Sequence, residues 1–222
     1  MRSSSIKTET LLQRREDRPS KNTRDRIITS AARLFAQKGY EASSVGDLAA
    51  DIGISKAAIY HYFATKREIY DAIIFNVLSG LVKFVSKEVM SQDSPTEKLR
   101  SFMTSHACYF EAYHNEFVSM LIGFSGMHEA AKLKQEVVRL RDDYENMLRN
   151  IIDEGIRDKS FDQLDSVTAT RSILSMLNWM ARWFKPEKEV KAEEVALDYY
   201  HLLMRGLARR CCESATYSTQ DT

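Results

Sequence analysis

The chain has 222 residues, 44% hydrophobic and 28% charged, an ordinary soluble balance with room for one core or for a small domain joined to a larger one. Apolar runs such as 72–77 fall far short of the roughly 20 residues a membrane span requires. The polar amino terminus MRSSSIKTETLLQRREDRPS has no signal-peptide core, so a cytoplasmic location is expected. The net charge of +1 hides an asymmetry: residues 1–70 hold 13 Lys/Arg against 8 Asp/Glu, and residues 71–222 hold 19 against 23. A basic amino-terminal third on an acidic body fits a chain that presents one end to phosphates.

Residues 1–22 are polar and without periodicity and read as a disordered arm. A first helix is expected from Thr23, as N-cap, to Lys38, with Ile27, Ile28, Ala31, Leu34 and Phe35 on its apolar face and Gly39 as its stop. Ser43 or Ser44 caps a short helix through Ile52, Gly53 makes a turn, and Ser55 caps a third helix from Lys56 to Phe63. A long fourth helix starts near Lys66 and carries Ile69, Ile73, Val77, Leu81, Phe84 and Val85 at helical spacing. Further helices are expected over 96–113, 116–124, 128–157, 165–184 and 192–209, with breaks at 92–95, 114–115, 126, 159–164 and 185–190. With only three prolines and eight glycines, such helices run uninterrupted. The expected fold is all-α: an amino-terminal three-helix domain with a helix-turn-helix (23–68), a helical bundle (69–210), and a disordered tail (211–222).

A helix-turn-helix needs a small residue where its helices touch, a turn residue tolerant of positive φ, and hydrophobic anchors around both. Ala49, Gly53 and the set Leu48, Ile52, Ile54 and Ile59 supply these, with Phe35 as plug behind. Ser55, Lys56, Ala57, Ala58, Tyr60, His61 and Tyr62 are then left on or near the outer surface. Lys56 can reach guanine or a phosphate, Ala57 and Ala58 allow close approach to thymine methyls, and the aromatic residues can meet phosphates and sugars. Ser43, Ser44 and Lys66 would grip the backbone. A helical adaptor whose amino-terminal domain binds protein is the alternative these residues leave open.

The stretches TRDRIITSAARLFAQKGY and SSVGDLAADIGISKAAIYHYFATKREI, in that order and at that spacing, resemble the DNA-binding domain of the TetR family of transcriptional repressors over residues 23–75. Gly46 departs from the pattern, which usually has a longer residue there. The resemblance implies a homodimer that binds a palindromic DNA operator, with the last two helices as interface and a small-molecule effector in each body. The residues agree: Val195, Tyr199, Leu202, Leu203 and Leu207, with Ala196 and Gly206, and Ile173, Leu174, Met176, Leu177, Met180 and Trp183 make two helices apolar on more than one face.

Effector contacts are expected among His106, Tyr109, Tyr113, Phe117, Met120, Phe124, Asn178, Trp179, Arg182 and Trp183, with Leu121, Met147 and Met180 nearby. Arg182, between two tryptophans, would need an anion, a carboxylate or water if buried. GIRDKSFDQLD followed by SILSMLNWMARWFKP resembles a TetR subgroup that controls lipid, sterol-ring or acid catabolism and often responds to acyl-CoA thioesters. Ala181 stands where that subgroup usually has an aromatic residue. Arg139, Arg171, Arg182 and Lys185 are the candidates for the phosphates of such an effector. No catalytic residue, metal site or bound cofactor is expected: there is no glycine-rich phosphate loop, nucleophile elbow or metal-spaced His/Cys cluster. Cys108 reads as core, and Cys211 and Cys212 are adjacent and poorly placed to bridge each other.

Overall fold

The computed structural model describes residues 23–122 and 131–206. The expected arm, Phe124, Gly126, His128, Leu207 and the tail with Cys211 and Cys212 lie outside them. Every regular element among the described residues is helical.

Helix α1 (Thr23–Lys38) buries Ile27, Ile28, Ala31, Ala32, Leu34 and Phe35 along one face. Thr23 is its first helical residue rather than the cap before it. The helix ends where Gly39 takes φ +85 and donates its N–H to the Phe35 carbonyl at 2.9 Å, a left-handed stop that a side chain would strain. Helix α2 (Val45–Ile52) opens on a reciprocal capping box. The Ser44 hydroxyl accepts the Asp47 N–H at 3.0 Å, and the Asp47 carboxylate accepts the Ser44 N–H at 2.9 Å. Gly53, at φ 71 and ψ 36, closes α2. Ser55 then caps α3 (Lys56–Tyr62) by accepting the Ala58 N–H at 3.1 Å.

Polar fastenings hold α2 on α1. Asp51 accepts hydrogen bonds from the Ser30 hydroxyl and the Arg33 guanidinium, and Arg26 donates to the Ile52 carbonyl at 3.0 Å. The Arg33 contact, aided by Ser30, holds the Asp51 carboxyl below its ordinary range. Beneath them Leu48, Ile59, Phe63 and Phe35 share one apolar core.

Helix α4 (Lys66–Met90) is capped by Thr65, whose hydroxyl accepts the Glu68 N–H at 3.1 Å. By length and composition alone it is long and apolar enough to cross a membrane, which corrects the expectation drawn from short apolar runs. Its apolar residues, among them Ile69, Ile73, Ile74, Val77, Leu81 and Val85, are instead buried in the protein. It packs against α1 and against α5 (Pro95–Ala112), α6 (His114–Ile122) and α7 (Ala131–Arg157). Helix α5 starts one residue before the expected Thr96, with Pro95 in the first turn, where its missing N–H costs nothing, and Ser94 as cap. The expected break at 114–115 narrows to Tyr113. Its N–H donates to the Tyr109 carbonyl and its own carbonyl accepts the Phe117 N–H.

Helix α8 (Ser166–Trp179) is capped by Asp165, which accepts the N–H groups of Val167 and Thr168. The single helix expected to reach Phe184 tightens after Trp179 into a 3₁₀ turn, Met180–Arg182. Helix α9 (Ala192–Arg205) lays Ala192, Ala196 and Tyr200 against α5. Glu111, buried on α5, accepts the Ala192 N–H at 3.0 Å and pairs with Lys191 at 3.4 Å. A buried carboxylate thus satisfies the positive amino-terminal end of α9.

Candidate functional site

One face of α3 gathers most of the residues expected to meet DNA. Ser44, Ser55, Lys56, Ala57, Tyr60, His61 and Tyr62 are exposed and Ala58 is half-buried. Tyr60 leaves 51% of its surface open, although Ile59 beside it is wholly buried. His61 and Tyr62 meet edge to face with ring centroids 5.3 Å apart. This is a short rod, anchored from below by Ile59 and Phe63, with a basic, small and aromatic outer surface. Ser44 and Ser55, which cap the amino-terminal ends of α2 and α3, are both exposed.

Two expected contacts sit differently. Ser43 is buried, and its hydroxyl donates to the Gly39 carbonyl at 2.7 Å while its N–H bonds to the Tyr40 carbonyl. It therefore serves the loop between α1 and α2, not the outer surface. Lys66 is half-buried, with its ammonium 4.1 Å from the centre of the Tyr40 ring. Gly46 has a local consequence: a Cβ there would lie 2.7 Å from Lys56 Cε and 3.0 Å from Nζ. The absent side chain lets Lys56 lie back across the start of α2, near Asp47.

Sequence reasoning missed the junction beneath this face. Phe35, Tyr40 and Tyr70 form a ring cluster with centroids 5.0–6.2 Å apart. The Tyr70 hydroxyl, on α4, donates toward the carbonyls of Ser119 and Met120 on α6, at 3.3 and 3.5 Å. Burial raises that phenol to about 12, so it remains a donor at any physiological pH. The hydrophobic spacing of α1 marked Phe35 as a buried plug, but gave no sign that it meets Tyr40 and Tyr70.

Within the body, the structure brings His106, Tyr109, Tyr113 and Phe117 together. His106 and Phe117 meet edge to face at 5.5 Å, and Tyr109 stacks on Tyr113 at 4.4 Å. Tyr109 reaches α4 where Gly80 leaves room; a Cβ at that glycine would fall 2.0 Å from its hydroxyl. Met120 is buried on α6. His106 Nδ1 is 2.8 Å from the hydroxyl of Tyr144 on α7, a partner not anticipated. Its signal was present: Tyr144 stands among charged residues at helical spacing with Val137, Leu148 and Ile151, all of them buried.

Trp179, Arg182 and Trp183 lie on the outer surface of the chain, apart from these rings. Trp179 is 64% and Trp183 46% exposed, and the exposed Arg182 guanidinium lies 5.8 Å from the Trp179 ring centre. The inward stripe is Ile173, Leu177, Met180 and Phe184, which recurs every three to four residues and turns the tryptophans outward. Asn178 is half-buried between the two faces. Exposed Leu202 and Leu203 on α9 add to the outer apolar surface.

Comparison with known proteins gives this geometry a lineage. Residues 27–73 match the model of the bacterial regulatory proteins of the tetR family, and residues 92–207 match that of the tetracyclin repressor-like C-terminal domain. The HTH-type transcriptional repressor KstR2 of Mycolicibacterium smegmatis is 28% identical over 199 residues, covering 87% of this chain and 95% of the relative. Among solved structures, the TetR family transcriptional regulator PfmR of Thermus thermophilus superposes with a TM-score of 0.77 at 45% identity, covering 82% of this chain and 99% of that one. AibR, solved in complex with isovaleryl coenzyme A and operator DNA, shares the fold with a TM-score of 0.74 at 22% identity, covering 82% and 97%. The chain belongs to the tetR family of bacterial regulatory proteins, DNA-binding transcriptional regulators that act on operators as homodimers and respond to small-molecule effectors.

Proposed function

We propose that the chain is a repressor released from a palindromic operator by a small hydrophobic or acyl-CoA-type effector, and that it acts in the cytoplasm without catalytic activity. The observation that carries this reading is the outer face of α3, where Lys56, Ala57, Ala58, Tyr60, His61 and Tyr62 surround no core of their own. Residues 23–68 form the DNA-reading head in this reading, and α3 enters the major groove. Lys56 reads a base edge or a phosphate, the alanines permit close approach, and the aromatic residues, with Ser44 and Ser55, position the head on the backbone. Two heads must reach successive grooves, about 34 Å or a multiple apart, which demands a dimer. The outward Trp179, Trp183, Leu202 and Leu203 supply its interface.

The effector site lies in the body around His106, Tyr109, Tyr113 and Phe117. The acyl-CoA class is supported by the AibR complex with isovaleryl coenzyme A and by the Asn178–Pro186 sequence run. Filling the body shifts α6 and α4 through the Tyr70 hydrogen bonds, so that the two heads no longer match the operator. A coupling of about 1–3 kcal/mol weakens DNA binding roughly 5–150-fold. Titration of short and medium acyl-CoA thioesters against the labelled operator complex tests the effector class. Release by at least one thioester is expected, and no loss of binding with any thioester or free acid would remove that class.

A further inference from the structure

We infer that His106 and Tyr144 form the polar end of the effector site and donate one hydrogen bond to the thioester carbonyl oxygen of a bound acyl-CoA. The inference rests on the acyl-CoA reading above and adds to it the atom that is recognised.

The argument is proton counting. His106 and Tyr144 are both at least nine-tenths buried, and His106 Nδ1 lies 2.8 Å from the Tyr144 hydroxyl. His106 Nε2 is buried with no hydrogen-bond partner. A neutral imidazole carries one N–H and a phenol one O–H, and a single hydrogen bond joins them. If Tyr144 donates to Nδ1, the proton on Nε2 has no acceptor. If Nδ1 donates to Tyr144, the phenolic proton must seek another. In either tautomer the pair keeps one donor beyond the bond it makes with itself, and burying a donor unpaired is costly.

The surroundings select what can accept it. His106 lies edge-on to Phe117, and Tyr144 lies 4.8 Å from the ring centre of Phe102. Burial holds the imidazole down to about 3, so it is neutral at physiological pH and offers no full positive charge. A carboxylate brought to this aromatic setting would lose its hydration without gaining a counter-ion there. A neutral carbonyl flanked by an aliphatic chain suits both the spare donor and the apolar rings. Trp179, Arg182 and Trp183, being exposed, take no part in this recognition.

The test compares butyryl-CoA with its thioether analogue, S-butyl-CoA, which keeps the chain and the coenzyme but replaces the carbonyl by a methylene. Both are titrated against the full-length protein on its labelled operator. A site built to hydrogen-bond a substrate group strongly rejects the analogue lacking it, so the thioester should release DNA at a concentration about tenfold or more lower. His106→Phe, checked by thermal melting, should bring the two ligands within about twofold of each other. Should that variant fail to fold, the infrared carbonyl band of carbonyl-labelled butyryl-CoA on the wild-type protein replaces it, and a shift to lower frequency on binding is expected. Equal potency of the two ligands on the wild type, or a band unmoved from its position in water-free solvent, overturns the inference while leaving the acyl-CoA reading in place. If neither ligand binds, the effector class fails and the inference falls with it.

Discussion

At the scale of single residues, the head depends on side chains that each serve one backbone group. Removing the Ser44 hydroxyl takes away the acceptor of the Asp47 N–H and leaves the Ser44 N–H on the Asp47 carboxylate, so Ser44→Ala should cost about 1 kcal/mol in denaturant unfolding. Lys56→Ala and Tyr60→Ala touch no buried group and should abolish operator binding, by anisotropy, with stability and dimerisation unchanged. His106 gives a pH signature of known sign. Its folded value is about 3, against an ordinary value near 6.5, so between those values the unfolded chain binds a proton that the folded chain does not. Stability therefore falls as pH drops below about 6.5, by up to about 1.4 kcal/mol per unit from this one group. His114, also lowered chiefly by burial, adds in the same direction. His106→Phe should lose about 1 kcal/mol less than the wild type between pH 7.5 and 5.5, as read by urea unfolding. An equal loss in both proteins would show that the imidazole is not held neutral.

At the scale of elements, what could be read in the sequence was what is local. The Ser44–Asp47 box, Gly39, Gly53 and Ser55 determine where α1, α2 and α3 begin and end, and each acts within four residues of itself. What could not be read was the choice among equally apolar alternatives. Trp179 and Trp183 repeat at the same spacing as Met180 and Phe184, and only packing against α6 decided that the second pair faces inward. Ser43 and Ser44 are adjacent hydroxyls, and one-residue registration sends the first to Gly39 and leaves the second outside. Contacts across the chain were equally silent: Glu111 meets the start of α9 from 81 positions away, and Tyr70 meets the carbonyls of α6. Glu111→Ala leaves the Ala192 N–H buried without an acceptor and should cost about 1–3 kcal/mol in thermal or urea unfolding. Tyr70→Phe removes the hydroxyl that ties α4 to α6. Operator affinity without effector should stay within about twofold of the wild type, while effector-driven release weakens severalfold. An unchanged ratio of affinities with and without effector would exclude Tyr70 from the coupling.

For the whole molecule, the division of labour follows from where surface is left unfinished. The head leaves a basic and aromatic strip, and α8, the 3₁₀ turn and α9 leave an apolar one. The first suits a polyanion and the second a copy of itself. Paired Leu202→Asp and Leu203→Asp substitutions should therefore yield a monomer in sedimentation, with operator affinity reduced far more than affinity for random duplex. The measurement that bears most directly on the account is binding of the purified protein to inverted-repeat duplexes selected from a random pool, followed by fluorescence anisotropy at several salt concentrations. The account predicts two protomers on each selected site, affinity that falls steeply with salt, and loss of the preference over random duplex in Lys56→Ala. Equal affinity for selected and random duplexes, or a selected site left intact by that substitution, would contradict it.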